Sequence, residues 1–295
     1  MTAKKDMENP ASALVANIAP RPGLTANRLT PQELENYHRD GFVVPRFRLS
    51  QDEVTRLRGL ILRLVAANPR FVDFLMQGPH VPGNKMQDLK SFPGWMEFAA
   101  HSAILDMIEQ IVGPDIILRG TAVFYKRAGE GPATAWHRDA LGAQHITPLV
   151  ATHVWIAASD SFIDNACLRF IPGSHDLRTI GTHRHEQFEE RHADGSVGPA
   201  LVEGEYDETN AVDLELEAGQ MIIFDVFAAH ASRPNSGTRE RASYALRFMP
   251  ATSFYDHDSL GTREYGNDTR PLILVRGQNR GGSDLRRGHP TFAYG

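Results

Sequence analysis

The feature that most constrains the fold of this chain is a pair of potential metal ligands, His137 and Asp139, separated by a single residue. In an extended strand, residues i and i+2 point to the same side, so both side chains can reach one ion while Arg138 points away. Two histidines and one carboxylate can bind one face of an Fe(II) ion and leave the opposite positions open for a co-substrate and O₂. The third ligand must then come from a distant strand, and His230 is the candidate.

The residues before His230 have the composition of a buried strand. Residues 220–225 (QMIIFD) are short, apolar and partly β-branched, and they follow the turn signal Ala218-Gly219. A lone His-x-Asp is weak evidence, because the chain contains 13 histidines and 36 acidic residues. The strand that leads to His230 makes the pattern more specific.

The residues after His230 predict a carboxylate-binding site. A turn-rich stretch is followed by Arg241, which opens a predicted strand over residues 242–248. A dicarboxylate that chelates the metal through a keto-acid end needs a fixed cation at its far end, and a guanidinium is the fitting bidentate partner. Ser232 lies on the same predicted face as His230 and can donate a hydroxyl to the same carboxylate.

Further motifs occur along the chain in a fixed order. They are Leu29-Thr30-Pro31-Gln32-Glu33-Leu34, Asp40-Gly41-Phe42-Val43-Val44, Lys85-Met86-Gln87-Asp88, Gly113-Pro114-Asp115-Ile116, Trp136-His137-Arg138-Asp139, the stretch from Asp164 to His175, and the pair His230 and Arg241. Together they resemble the phytanoyl-CoA dioxygenase family of Fe(II)/2-oxoglutarate-dependent oxygenases over most of the chain.

The resemblance implies a role for each matching residue. His137, Asp139 and His230 would bind Fe(II), and Arg241 with Ser232 would hold the distal carboxylate of 2-oxoglutarate. Trp155 would pack near that co-substrate, and Lys85 and Ala122 would line its pocket. The chain departs from the family at Arg138, where Gln is most common, and at Ala166, where Gly is most common.

The implied reaction consumes O₂ and converts 2-oxoglutarate to succinate and CO₂ while a C–H bond of a small-molecule metabolite is hydroxylated. Asp139 favours hydroxylation, since related halogenases carry a small residue in place of the carboxylate. Desaturation, ring formation and epoxidation by the same cofactor chemistry stay open. So do a jelly-roll metalloenzyme with different chemistry and a non-catalytic jelly-roll metal-binding module. The substrate is not identified, and no cluster of Lys and Arg in the sequence demands the phosphates of coenzyme A.

Composition favours a compact enzyme. With 295 residues, 41% of them hydrophobic, the chain can bury a large core. The net charge of −5 provides no basic surface for nucleic acid or an anionic membrane. The N-terminus has no apolar stretch long enough for a signal peptide or a membrane span. We expect a cytoplasmic enzyme with neither nucleic acid nor membrane as a partner, and a homodimer stays open.

The elements predict a mainly β fold with flanking helices around a double-stranded β-helix, the jelly-roll core of cupin-like proteins. Residues 1–28 are expected to form a flexible tail, and residues 29–295 a single domain whose N-terminal part is helical. Helices are predicted to begin after Thr30 and after Ser50, and a third to run from about Trp95 to Val112.

Residues 176–211 interrupt the strand pattern and predict a solvated insertion over the barrel mouth, which could act as a lid. A second metal site at His183, His185 and His192 is the less favoured interpretation, because these histidines lack a clear ligand spacing. His153 shares a predicted strand face with Trp155, so it either points into the pocket or serves as a hydrogen-bonded structural residue. His175 is expected to be structural, and Cys167, the one cysteine of the chain, a small core residue.

Overall fold

The computed structural model describes residues 27–185, 191–259 and 267–290. Most of the tail predicted for residues 1–28 therefore lies outside the described residues, as do the segments 186–190 and 260–266. No helix within the described ranges combines the length and the apolar character that crossing a bilayer requires.

Two helices begin as the sequence predicts. Helix α1 (Pro31–Asp40) is capped by Thr30, and helix α2 (Gln51–Ala67) is capped by Ser50. In both, the cap side chain accepts a hydrogen bond from the backbone N–H of a glutamate three residues later, whose carboxylate accepts one from the cap backbone.

The prediction of one helix from Trp95 to Val112 is wrong, because the chain breaks near its middle. A single turn, α3 (Met96–Ala99), is followed by α4 (Ser102–Val112). Between them His101 has extended backbone angles, and its Nε2 lies 3.0 Å from a carboxylate oxygen of Glu53 in α2. This tertiary contact accompanies a break that apolar periodicity alone did not reveal.

The strands of the described residues form two main antiparallel sheets. The large sheet contains β1 (Phe42–Val43), β2 (Leu75–Gln77), β3 (Ile116–Lys126), β6 (Thr152–Ala157), β11 (Met221–Asp225), β13 (Arg241–Pro250) and β15 (Ile273–Arg276). The small sheet contains β4 (Thr134–His137), β7 (Leu168–Phe170), β10 (Val212–Leu214) and β12 (His230–Ser232). Two short pairs complete the set, β5 (Ile146–Thr147) with β14 (Phe254–Tyr255), and β8 (His183–His185) with β9 (Ala200–Leu201).

Alternation along the strands separates two apolar layers. In β6, Val154 and Ile156 pack in the cluster that contains the buried faces of α2 and α4. Trp155 and Ala157 face the other way, into a cluster shared with Phe170 of the small sheet. The helices therefore cover the outside of the large sheet, while the space between the two sheets is the interior of the jelly roll. The predicted fold class is confirmed.

Strand β3 contains one extra residue where it pairs with β13. Gly120 lies opposite Arg247, but Leu118 lies opposite Phe248, so Arg119 has no partner of its own in the register. Such a bulge bends the strand and redirects the side chain of the extra residue. Here it places Arg119 in a buried position in contact with His153 of β6.

The predicted insertion, residues 176–211, forms backbone hydrogen bonds with a strand of the barrel. The backbone N–H of Ala135 donates to the carbonyl oxygen of Val197 (3.1 Å), and the N–H of Val197 donates to the carbonyl of Ala133 (2.8 Å). Residues 196–201 are buried, so the prediction of a solvated segment is wrong for them. The insertion attaches to β4, the strand that carries His137.

The contact between α2 and the large sheet predicts a matched pair of stability effects. Leu57 is fully buried, whereas Leu62 on the same helix is 37% exposed. We expect Leu57→Ala to lower the free energy of unfolding by about 2–5 kcal/mol, since it leaves a cavity. Leu62→Ala should change it by no more than about 0.5 kcal/mol. Urea denaturation measures both, and equal losses would contradict this packing.

Candidate active site

The two histidines are brought together by strand pairing. His137 ends β4, His230 begins β12, and the two residues lie directly opposite each other in the antiparallel register. Their ring centroids are 4.2 Å apart. Strand β4 ends before Asp139, which begins a short 3₁₀ helix, Asp139–Ala143. Arg138 between them keeps extended angles (φ −118°, ψ 128°), so the predicted same-side placement of His137 and Asp139 is maintained.

The donor atoms of these three residues surround a space that fits a metal ion. Asp139 Oδ1 lies 3.7 Å from His137 Nε2, and Asp139 Oδ2 lies 4.0 Å from His230 Nε2. These distances are too long for hydrogen bonds, yet one donor atom from each residue lies within 4.8 Å of the others. Ligand bonds of about 2.0–2.2 Å from a central ion would span such a gap. Among the described residues, this is the cluster with metal-binding geometry.

The protonation pattern of the site suits metal binding. The Nδ1 atoms of His137 and His230 lie 2.8 and 3.0 Å from the carbonyl oxygens of Ala135 and Ala228. A ring that donates from Nδ1 carries its lone pair on Nε2, which is the atom facing Asp139. Burial lowers the pKa of His137 to about 3, so this imidazole is neutral near neutral pH.

Asp139 is held as a carboxylate by its neighbours. Burial alone would raise its pKa, but His153, His230 and His137 hold that pKa well below its usual range. His153 Nδ1 lies 2.7 Å from Asp139 Oδ2, and His153 Nε2 lies 2.6 Å from Arg119 Nη2. Because Arg119 donates to one ring nitrogen, the other is left to donate to Asp139. His153 thus combines both of its expected roles, since it lines the cavity and orients a candidate ligand.

The same cavity, of about 470 Å³, extends from the three donor residues to Ser232 and Arg241. Phe124, Trp155, Leu168 and Phe224 form much of its apolar wall. The Arg241 side chain is buried, and its guanidinium carbon lies 5.3 Å from the centroid of the Trp155 ring. One Nη atom of Arg241 donates to the carbonyl oxygen of Ala166. Burial lowers the pKa of Arg241 to about 10, so the side chain is still a cation at neutral pH.

Lys126 is a buried residue beside this cavity, in contact with its lining residue Ser232, that the sequence analysis missed. It lies opposite Arg241 in the register of β3 and β13, and its Nζ donates to Ser232 Oγ (2.8 Å) and to the carbonyl of Arg233 (2.9 Å). Burial, with the nearby charge of Arg241, lowers the pKa of Lys126 well below its usual range. The sequence signal was the parity of Lys126 with Ala122 and Phe124, which places a lysine on the inner face of a buried strand.

Two of the predicted pocket residues lie elsewhere. Lys85 is exposed, because the neighbouring Asn84 takes the interior position and donates to the carbonyls of Gly78 and Val81 at 2.7 Å. The structure therefore does not place Lys85 among the residues that line this cavity. Ala122 is buried in the apolar cluster that includes Trp155, and it is not among the residues that line the cavity.

The remaining histidines discussed in the sequence analysis, and Cys167, lie outside the candidate metal site. His175 Nε2 donates to the carbonyl oxygen of His38 (3.0 Å). Burial raises the pKa of the Cys167 thiol to about 11, which disfavours a nucleophilic thiolate. His183 and His192 belong to no metal-binding cluster among the described side chains, and the side chain of His185 lies outside them.

Comparison with known proteins agrees with this geometry. The profile of the family described as Phytanoyl-CoA dioxygenase (PhyH) matches residues 37–243. The chain belongs to the phytanoyl-CoA dioxygenase family. Membership and the His and Asp donor set together identify a non-haem iron dioxygenase that depends on 2-oxoglutarate.

Individual members and solved structures match over most of the chain. A phytanoyl-CoA dioxygenase domain-containing protein 1 homolog from Dictyostelium discoideum is 26% identical over 275 residues, which cover 79% of this chain and 96% of that protein. The apo structure of the non-heme monooxygenase ThoJ is 27% identical, with a TM-score of 0.63 over 84% of this chain and 85% of that one. A complex of ThoJ with nickel is 25% identical, with a TM-score of 0.59 over 88% and 90% of the two chains.

The metal centre predicts selective loss of iron. We expect the protein to bind about one Fe(II) per chain, and His137→Ala or His230→Ala to lose most of it, because each removes one of three ligands. His183→Ala is the matched control, since this half-buried histidine lies outside the cluster. Metal analysis after anaerobic loading measures the occupancy. Full occupancy in both ligand variants would show that iron binds elsewhere.

Proposed function

We propose that this protein hydroxylates an unactivated C–H bond of a small-molecule metabolite, using Fe(II), 2-oxoglutarate and O₂ and releasing succinate and CO₂. The observation that carries the proposal is that one cavity contains both the three-donor cluster and the buried cation Arg241. A chelating keto acid with a second carboxylate needs this combination of groups. A metal-binding module without catalysis has no use for the cation.

In this proposal His137, Asp139 and His230 hold the iron, which supplies the activation of O₂. Asp139 contributes the negative charge, and His153 restrains its free rotation through the bond to Oδ2. The two histidines are fixed by their backbone carbonyl partners, so the donor set is organised before the metal arrives.

Arg241 pairs with the distal carboxylate of 2-oxoglutarate. Ser232 already accepts a hydrogen bond from Lys126, so its own hydroxyl hydrogen is available to the same carboxylate. Trp155 lies under the guanidinium and, with Phe124 and Leu168, makes this part of the cavity apolar. A carboxylate bound there meets charge-assisted hydrogen bonds in surroundings of low polarity, where they are strong.

Retention of Asp139 supports hydroxylation over halogenation, because the carboxylate occupies the position that a halide would need. Desaturation, ring formation and epoxidation would use the same protein groups and differ in the fate of the substrate. A cytoplasmic location and the absence of nucleic acid as a partner stay predictions from sequence. Whether the protein forms a homodimer stays open.

Substrate-stimulated formation of succinate tests the proposed function. The purified Fe(II) protein is incubated with 2-oxoglutarate and O₂ in the presence of fractionated metabolite pools. We expect one fraction to accelerate succinate release and to contain a product heavier by one oxygen atom. Acceleration with a product that has lost two hydrogens would instead indicate desaturation or ring formation. If no pool accelerated turnover of a protein that binds both iron and 2-oxoglutarate, a small-molecule hydroxylase would be contradicted.

The pairing of Arg241 predicts a specific loss of co-substrate affinity. We expect Arg241→Ala to weaken binding of 2-oxoglutarate by about 3–5 kcal/mol, as is typical when one partner of a buried charged pair is removed. Arg241→Lys should recover part of the loss, because an ammonium cannot reproduce two-pronged pairing. Anaerobic titration of the metal-to-ligand absorption band measures the affinity, and iron content should change little.

Arg239 provides the control for this experiment. It lies two residues earlier, is partly exposed, and pairs with Asp160 and Asp164 at 3.3 and 3.4 Å on the surface. Arg239→Ala should leave the titration almost unchanged. A damaging Arg239→Ala together with a silent Arg241→Ala would reverse the assignment.

A further inference from the structure

A second cavity, of about 320 Å³, also borders the candidate ligand Asp139. It shares Asp139, His153 and Arg247 with the first cavity, and it is also lined by Arg119, Arg138 and Arg270. Both cavities therefore border the candidate ligand Asp139, while Arg241 lines only the first of them.

The second cavity carries an excess of buried positive charge. Its four arginines are between 1% and 7% exposed, and among its described lining residues Asp139 is the only carboxylate. Asp139 already accepts from His153 and belongs to the candidate metal site, where its charge would offset that of the ion. Burial of charge is costly unless hydrogen bonds and an opposite charge compensate it. Arg119 and Arg138 each have buried guanidinium nitrogens without a hydrogen-bond partner among the described residues, and an anionic ligand could accept from them.

Several local features hold these arginines in place. The bulge in β3 supplies Arg119, whose Nη2 donates to His153 and whose Nε has no hydrogen-bond partner among the described residues. Gly120 makes room for Arg270, because a Cβ atom at this position would lie 2.7 Å from Arg270 Nη1. Gly181 does the same for Arg138, whose Nη1 would lie 2.6 Å from a Cβ.

The charge state of Arg119 agrees with crowding by like charges. Burial, together with Arg247 and Arg270, lowers the pKa of Arg119 to about 9. The guanidinium is therefore still charged near neutral pH.

Arg138, like Arg119, has guanidinium nitrogens without a hydrogen-bond partner. Its Nη2 donates to the carbonyl of Glu205 (3.1 Å), while Nε and Nη1 have no partner among the described residues.

We propose that this arginine cavity binds an anionic, oxygen-bearing group of the primary substrate, a carboxylate or a phosphoryl group, and thereby presents a nearby C–H bond to the metal centre. The inference rests on the proposed function, in which both carboxylates of 2-oxoglutarate are already engaged, one at the metal and the other at Arg241. Guanidinium groups suit either anion, because their paired N–H donors match two oxygens of a carboxylate or phosphate.

Binding of small anions tests the cavity directly. Inorganic phosphate and acetate are titrated by calorimetry into the full-length protein loaded with Ni(II) and saturating 2-oxoglutarate. We expect at least one of them to bind, and the preferred probe indicates whether the substrate group is phosphoryl or carboxylate. Arg247→Gln and Arg270→Gln should each weaken that binding by about tenfold, the loss expected for one hydrogen bond to a charged group.

Two further variants control for structural damage. Arg247→Lys keeps the charge and should recover part of the affinity. Arg48→Gln removes an exposed arginine that pairs with Glu217 on the surface, and it should bind the probe as the unmodified protein does. Unchanged binding in Arg247→Gln and Arg270→Gln, or no binding of either probe to the unmodified protein, would overturn the proposal.

Titration of 2-oxoglutarate separates this proposal from the proposed function. If Arg247→Gln and Arg270→Gln weaken 2-oxoglutarate as strongly as Arg241→Ala does, the arginine cavity belongs to the co-substrate and the inference is wrong. If the unmodified protein does not bind 2-oxoglutarate, the proposed function is wrong, and anion binding without 2-oxoglutarate still decides what the cavity holds.

A turnover experiment tests the substrate class. A metabolite extract is divided on an anion-exchange column, and each part is assayed for stimulation of succinate release. We expect the stimulating compound in the retained part. Stimulation confined to the unretained part would contradict an anionic substrate.

Discussion

The active site depends on one pairing, that of β4 with β12, which sets His137 directly opposite His230. Both strands are short, and each contributes a histidine at the end nearest Asp139. The register of an antiparallel pair is fixed wherever one face is buried, because a slip by one residue would turn every side chain to the other face. The geometry of the donor set is therefore a property of the small sheet rather than of a flexible loop, and the third donor needs only the extended residue Arg138 to reach it.

Several buried cations surround this pairing. Arg241 lines the cavity that contains the three donors, and Lys126 lies beside it. Arg119, Arg138 and Arg270 line the second cavity, and Arg247 lines both. Each cation costs free energy when it leaves water unless hydrogen bonds or an opposite charge compensate it. In both proposals made above, anionic ligands would bind to charge that is already in place, which would reduce the rearrangement needed on binding.

The sequence predicted the donor set and Arg241 because their signals are local. Strand parity relates His137 to Asp139, and a short turn relates His230 to Arg241. The arginine cavity was not predicted, because Arg119, Arg247 and Arg270 are far apart in the sequence. Strand register and the bulge in β3 bring them together, and no residue type in the sequence indicates that bulge. The exposed position of Lys85 could not be predicted, because the direction of a loop side chain depends on which neighbour, here Asn84, occupies the interior. The helix break at His101 likewise follows from a contact with Glu53 that is distant in sequence.

The bulge at Arg119 has a consequence for how β3 tolerates change. Ile116 and Leu118 before the bulge and Val123 after it all pack on the helices, although their positions differ in parity. The extra residue is what brings the two halves of the strand into phase. Deletion of a single residue here would turn one half of the strand inside out. Either Phe124 and Lys126 or Arg119 would then leave the cavity side, and residues that now pack on the helices would take their place. The strand can therefore accept substitutions much more readily than a change in length. The number of residues in β3 determines which of its side chains face the two cavities.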